Sequence, residues 1–243
     1  MADVRQRAAT HRWISALAGA AFACVSGPAL AFPPYRSTDG APAVAYEWGV
    51  RIGLGRLERD QGRTDLTAPL WRTSLGLPDG FEVIGQLEYS PRAGRIADGA
   101  VGGKWATEVN PSLAVGVETL ALLPVRRSTG GVGVESLLAA TLREGPYRLH
   151  LNAGGFHDPR RGPAQHGWRA SVLAEASSGS GRVGFELFAK DSNRRGADVR
   201  GGVGIIQDLG RFDVRAAVHA GLSRSAPDVV ASLWVTTSFQ LRR

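Results

Sequence analysis

Four histidines lie beyond residue 31: His150, His157, His166 and His219. Imidazole is the side chain best suited to proton transfer near neutral pH. A lipid-cleaving enzyme would set one of them beside a serine, with an acid or amide orienting the ring. None of the four stands on an outward strand face next to a serine of the same parity. His157 and His166 fall in one loop, residues 156–167, close to Asp158. A metal there would have no helix to set the ligand spacing and no third ligand. The glycines mark turns or alternate within strands, so none forms a phosphate cradle. The one cysteine, Cys24, lies near the amino end. The chain after it therefore has no disulfide, no thiol nucleophile and no cysteine-bound metal. These residues predict no catalytic centre, no metal and no cofactor.

The remaining chemistry is a long alternating series of charges. Glu47, Arg51, Arg72, Glu82, Glu88, Lys104, Glu118, Glu135, Arg148, His150, Arg169, Glu186, Arg200, Arg215 and His219 share one strand parity, and Arg143, Glu175, Lys190 and Asp213 join them. The opposite parity is apolar. In residues 81–89, Phe81, Val83, Gly85, Leu87 and Tyr89 fall on one face, and Glu82, Ile84, Gln86 and Glu88 on the other. Side chains alternate faces along a strand. A membrane barrel puts the apolar face in lipid, aromatics at the two headgroup levels, and the polar face in the lumen.

About a dozen such strands can be read between residues 44 and 241. The sequence predicts an all-β, antiparallel, up-and-down transmembrane β-barrel of about twelve strands. Residues 66–75 form the second strand, with Pro69 inside it. Short connections alternate with longer polar ones, such as residues 58–63, 156–167 and 191–198. That pattern suits turns on one side of a membrane and loops on the other. No apolar run beyond the amino end is long enough for a membrane helix.

The amino end reads as an export signal. Arg5, Arg7 and Arg12 precede an apolar stretch at residues 13–25, and Ala29-Leu30-Ala31 is a small-x-small cleavage site. Ala21 and Phe22 do not fit a lipidation signal at Cys24. The division is therefore a signal peptide at 1–31, a periplasmic lead-in at 32–43 and a barrel at 44–241. Net charge is +7, spread over the loops of an exported chain, which argues against nucleic acid as a partner. Three arginine pairs, Arg126-Arg127, Arg160-Arg161 and Arg194-Arg195, recur every 34 residues in loops assigned to the outside. They are either solvated turn residues or contacts for lipopolysaccharide phosphates.

With the strand series in place, the chain resembles outer-membrane β-barrel transporters of the phenol-degradation meta-pathway type. The resemblance rests on the lead-in Phe32-Pro33-Pro34-Tyr35-Arg36-Ser37-Thr38-Asp39, the strand-turn-strand at 71–87, the hairpin from Leu113, and Pro227-Asp228 before the last strand. Relatives often carry two acids after the lead-in threonine, where this chain has Asp39-Gly40. The closing aromatic, Phe239, stands short of the chain end. The resemblance implies passage of small solutes, aromatic or hydrophobic compounds among them, and supplies no binding residues.

The expected function is a diffusion channel in the bacterial outer membrane. Its expected partners are outer-membrane lipid, lipopolysaccharide, a small-molecule solute and the barrel-assembly machinery. The inner charges support two arrangements: a hydrated path or a salt-bridged plug. A plugged structural or adhesion barrel, a lipid-modifying enzyme and a soluble periplasmic barrel are the rival readings.

Overall fold

Period-two alternation and β-branched residues make most of the described residues strand. The computed structural model describes residues 34–124, 131–160, 163–194 and 196–241. The predicted signal at 1–31 and Arg126, Arg127, Arg161 and Arg195 lie outside them. The strands are β1 (Glu47–Asp60), β2 (Arg63–Thr67), β3 (Leu70–Gly76), β4 (Phe81–Ser90), β5 (Arg95–Asn110), β6 (Leu113–Leu122) and β7 (Gly133–Glu144). They continue as β8 (Tyr147–Asp158), β9 (Gln165–Ser178), β10 (Gly181–Ser192), β11 (Asp198–Asp208), β12 (Asp213–Gly221) and β13 (Val229–Gln240).

Each strand pairs antiparallel with the next, and β13 pairs back onto β1 from Glu47↔Gln240 to Arg59↔Val229. β2 and β3 both pair with β1 and are the two halves of one stave, interrupted at Ala68-Pro69. The result is a closed barrel of twelve antiparallel strands, as the alternation predicts. The interruption has a plain cause: proline brings no N–H to a ladder.

Several segments expected as loops are strand. β1 and β2 run out to Asp60↔Arg63 and turn at Gln61-Gly62, both with positive φ (46° and 77°). Gly62 suits that turn because it lacks a Cβ. β8 and β9 likewise extend to Asp158↔Gln165. In β1 the register slips between Gly53 and Gly55, a bulge that turns Arg56 and Glu58 inward. Simple alternation from Tyr46 misses this, since one extra residue reverses the faces beyond it.

The exterior is apolar around the whole circumference. Ile52, Val83, Val101, Leu138, Val172, Val203, Val218 and Leu233 are 40–67% exposed. Trp48 and Phe239 face each other across the closing seam with ring centroids 5.9 Å apart. Phe81 pairs with Trp105 near the same rim, and Tyr89 and Trp168 stand towards the other. A soluble monomer rarely exposes an apolar patch above a few hundred Å².

Val203→Arg should therefore destabilise the protein in lipid vesicles by about 2–4 kcal/mol, read from the urea midpoint. A face that met water would lose no more than about 0.5 kcal/mol.

Candidate functional site

Among the described residues the barrel interior concentrates polar chemistry on one surface, and it contains part of the chain itself. Residues 35–42 do not hang into the periplasm as the lead-in prediction has it. They run inside the barrel as a strap. Tyr35, Ser37, Thr38, Asp39 and Ala41 are all at most 5% exposed. The strap leaves the wall at Tyr46, where the Tyr46 N–H donates to the Gly76 carbonyl at 2.8 Å. It then crosses from the β3–β5 side to the β9–β11 side.

The wall grips the strap at successive residues. The Glu186 carboxylate accepts from the Arg36 N–H (2.9 Å), the Ser37 N–H (2.7 Å) and the Ser37 hydroxyl (2.6 Å). Asn152 pairs with Thr38, its Oδ1 accepting from the N–H (2.6 Å) and its Nδ2 donating to the carbonyl (2.8 Å). Lys104 Nζ lies 2.5 Å from Asp39, a pair with almost no solvent exposure. The Gly40 N–H donates to Thr141 Oγ1 at 2.8 Å.

At the far end, Tyr35 lies against β10 and β11 where Gly184 pairs with Gly204. A Cβ on Gly184 would fall 2.5 Å from the Tyr35 hydroxyl oxygen, and one on Gly204 would fall 2.8 Å from its ring. The two glycines make the recess that receives the ring. Outside the same stretch of wall is an apolar groove of about 570 Å³, lined by Tyr147, Phe185, Val203 and Val218 among others.

Of the fifteen residues proposed as lumen-lining, Arg51, Arg72, Glu82, Lys104, Glu118, His150, Glu186, Arg200, Arg215 and His219 are buried, and Glu47, Glu88, Glu135, Arg148 and Arg169 are half-buried. They divide by height. In the half nearer the short turns, Arg51 is fully buried among Arg72, Glu82, Arg215 and Asp39, and its Nη1 donates to Ser74 Oγ at 3.3 Å. Arg72 pairs with Glu118 at 2.9 Å, and Arg215 with Asp213 at 2.5 Å. His150 joins Thr141 (2.9 Å) to Glu175 (3.0 Å), and His219 lies 2.8 Å from Glu186. Arg148 is half-buried beside Glu175 and Arg182, and Glu47 borders a small cavity with Glu82. In the other half, Arg56 forks onto Glu88 with two 2.8 Å bonds, Arg169 pairs with Glu135, and Arg200 with Asp198 at 2.5 Å. Phe188 has the Arg36 and Arg169 guanidiniums at 5.7 and 5.6 Å from its ring centre. Lys190 sits 4.1 Å from that of Phe156.

The strap residues feel this interior. Burial, and then the carboxylates of Glu175 and Glu186, push the Tyr35 phenol well above its ordinary value. Burial, and then Arg56 and Arg200, push Arg36 down to about 10.

The residues outside the lumen arrange differently from the sequence expectation. Arg160 is 7% exposed and turned away from the surface, bonded to Asp158 (2.8 Å) and Asp98 (2.5 Å). Burial opposes its charge, but those carboxylates outweigh burial and hold it above the usual guanidinium range. It is thus committed to a loop clasp and not to a lipid phosphate. Arg194 stays exposed in a turn. His157 and His166 sit opposite one another on β8 and β9, exposed on the outer face, not in a loop. Among the described residues no group of three His, Cys, Asp or Glu could hold a metal ion.

The sequence analysis missed the strap, Asn152, Thr141, Ser171, Arg56 and Glu58 as members of the site. The polar run Ser37-Thr38-Asp39, sitting between prolines just ahead of the first strand, was the available signal.

No protein-family model matches the chain, and no curated protein matches it. Solved structures do. The NanC porin superposes with a TM-score of 0.61 at 10% identity, over 80% of this chain and 100% of that one. The two share the closed antiparallel β-barrel fold. An anion-selective porin from Comamonas acidovorans (TM-score 0.42, 13% identity, 76% of this chain and 63% of that one) and OmpT of Vibrio cholerae (0.42, 10%, 79% and 98%) are also similar. At these identities the porin likeness concerns architecture.

Two outcomes follow from the strap contacts. Lys104→Ala should cost about 3–5 kcal/mol by leaving Asp39 without its ammonium, and Lys104→Met with Asp39→Asn should recover most of it; urea unfolding in detergent measures both. The Tyr35 hydroxyl is buried without a hydrogen-bond partner, so Tyr35→Phe should be neutral or stabilising by up to about 1 kcal/mol. Because the folded-state value lies above the unfolded one, Tyr35 favours folding below the unfolded pKa, near 10. That contribution falls away as pH rises towards the folded value. An alkaline absorbance titration should show one late-ionising tyrosine, absent in Tyr35→Phe.

Proposed function

We propose that this protein is an outer-membrane channel for small solutes, held closed at rest by its own strap. The observation that carries the reading is the division of the barrel surface: apolar outside all the way round, charged and polar inside along its axis. An apolar exterior suits lipid. A water-soluble barrel would reverse the two faces. A polar interior lowers the cost of moving a hydrated solute through a membrane, as in the larger open barrels. Export through a cleaved signal, assembly by the outer-membrane machinery and contact with lipopolysaccharide through Arg194 belong to the same proposal.

The interior suits hydrophilic solutes. The aromatic compounds implied by the family resemblance would meet two ring faces, Phe156 and Phe188. Passage follows diffusion past paired charges once the strap gives way. A second reading has its own observation. Arg51, Lys104, Glu118, His150 and Glu186 are at most 4% exposed, as a permanently plugged structural barrel would have them.

Single-channel recording in planar bilayers separates the two. Ser37 and Ser171 place their hydroxyl oxygens 2.8 Å apart, so S37C/S171C in a C24S background can lock the strap by oxidation. The oxidised protein should be silent, and reduction in the same bilayer should raise open probability by roughly tenfold or more, a shift of about 1.4 kcal/mol. Silence from reduced, folded and inserted protein would favour the plugged barrel.

A further inference from the structure

We propose that the inner wall carries a binding site for short extended peptides, and that residues 36–40 of the strap occupy it as a built-in ligand. This deepens the channel reading by naming a solute class.

The contacts address backbone more than side chains. The Arg36 N–H reaches both Glu186 oxygens (2.9 and 3.0 Å), and the Arg36 carbonyl accepts from Arg169 Nη2 at 2.7 Å. The Ser37 N–H, both backbone groups of Thr38 and the Gly40 N–H are all taken up by wall side chains. Asn152 offers one acceptor and one donor to a single residue, as a neighbouring β-strand would. Main-chain recognition of this kind tolerates many sequences. Side-chain contacts add a preference: a cation over Phe188 at the Arg36 position, a hydroxyl at the Ser37 position facing Glu186 and Ser171, a hydroxyl at the Thr38 position 3.4 Å from Glu118, and an acid at the Asp39 position facing Lys104.

The wall is chemically unlike a surface that only needs filling. Glu186 and Thr141 are fully buried, Lys104 is 3% and Asn152 5% exposed. Desolvated polar groups need partners, and an inert filler would be met most economically by apolar side chains. When the strap withdraws, this row presents donors and acceptors at peptide spacing. A solute with the same groups can take its place.

A tethered strap competes at an effective concentration of order millimolar, so the test weakens the strap and leaves the wall alone. S37P/T38P removes the Ser37 N–H to Glu186, along with the Ser37 hydroxyl, and the Thr38 N–H to Asn152. The probe is a fluorescently labelled, amidated Arg-Ser-Thr-Asp-Gly peptide, and the readout is anisotropy with folded full-length mature protein in detergent. Heat-modifiable migration on a gel checks folding.

S37P/T38P should bind the probe at least about tenfold more tightly than the unaltered protein. Adding N152A, or N-methylating the probe at its threonine nitrogen, should each reverse that gain. Equal binding by the unaltered protein and S37P/T38P overturns the proposal, as does binding insensitive to N152A. So does absence of binding by folded S37P/T38P. Binding is read without current. A barrel that binds and never conducts removes the channel reading and keeps this site; one that conducts and does not bind does the reverse.

Discussion

A charge inside a narrow barrel must find either water or a partner, and the interior of this protein is arranged by that requirement. Twelve strands enclose more space than the eight-stranded barrels that side chains fill, and less than the sixteen-stranded ones that hold open water. At the level of Arg51, Glu186 and His150 there is no exposed surface left. Four buried carboxylates there are met by a cation, an imidazole or N–H donors: Asp39 by Lys104, Glu118 by Arg72, Glu175 by His150, and Glu186 by His219 and the strap. The strap supplies what the walls alone lack. Without it Glu186 loses three donors, and Lys104 loses its closest carboxylate.

The same contacts set how firmly the strap is held. Each residue ordered costs about 1–2 kcal/mol of chain entropy, and each hydrogen bond to a charged group returns about 1.5–3 kcal/mol. The strap has roughly one such bond per residue, and Tyr35 in its glycine recess adds apolar burial. It is thus held by many modest interactions and no covalent one. The wall strands, by contrast, are tied by antiparallel ladders on both sides. Motion inside this molecule is cheapest in the strap.

Much of this was legible in the sequence because period-two alternation is a strong signal when both faces are long and consistent. The inward set from Glu47 to His219 could be read by parity alone, and the closed antiparallel sheet followed from the regular turns. Where local geometry breaks the period, the reading fails. The bulge at Gly53–Gly55 hid Arg56 and Glu58, and continued pairing past Glu58 and Phe156 turned expected loops into strand. The strap was hidden for another reason. Ser37 and Thr38 bond to side chains 80 or more positions away, and Asp39 to Lys104, 65 positions away, on β5 to β10. Nothing local marks such a segment as buried. Arg160 shows the converse: an arginine pair that looks like a surface motif is half spent on Asp158 and Asp98.

The strap and the closing seam meet at one residue. Tyr46 carries a positive φ of 64°, its N–H is bound to Gly76, and its carbonyl accepts from the Leu241 N–H at 2.8 Å. The strand that completes the cylinder is therefore the one whose root bears the occupant of the cylinder. A chain that zips β13 onto β1 last seals its contents in the same act. The order of assembly then matters: residues 35–42 must already lie against β5–β10 while the sheet is still open, or else enter later through a mouth only as wide as the finished ring.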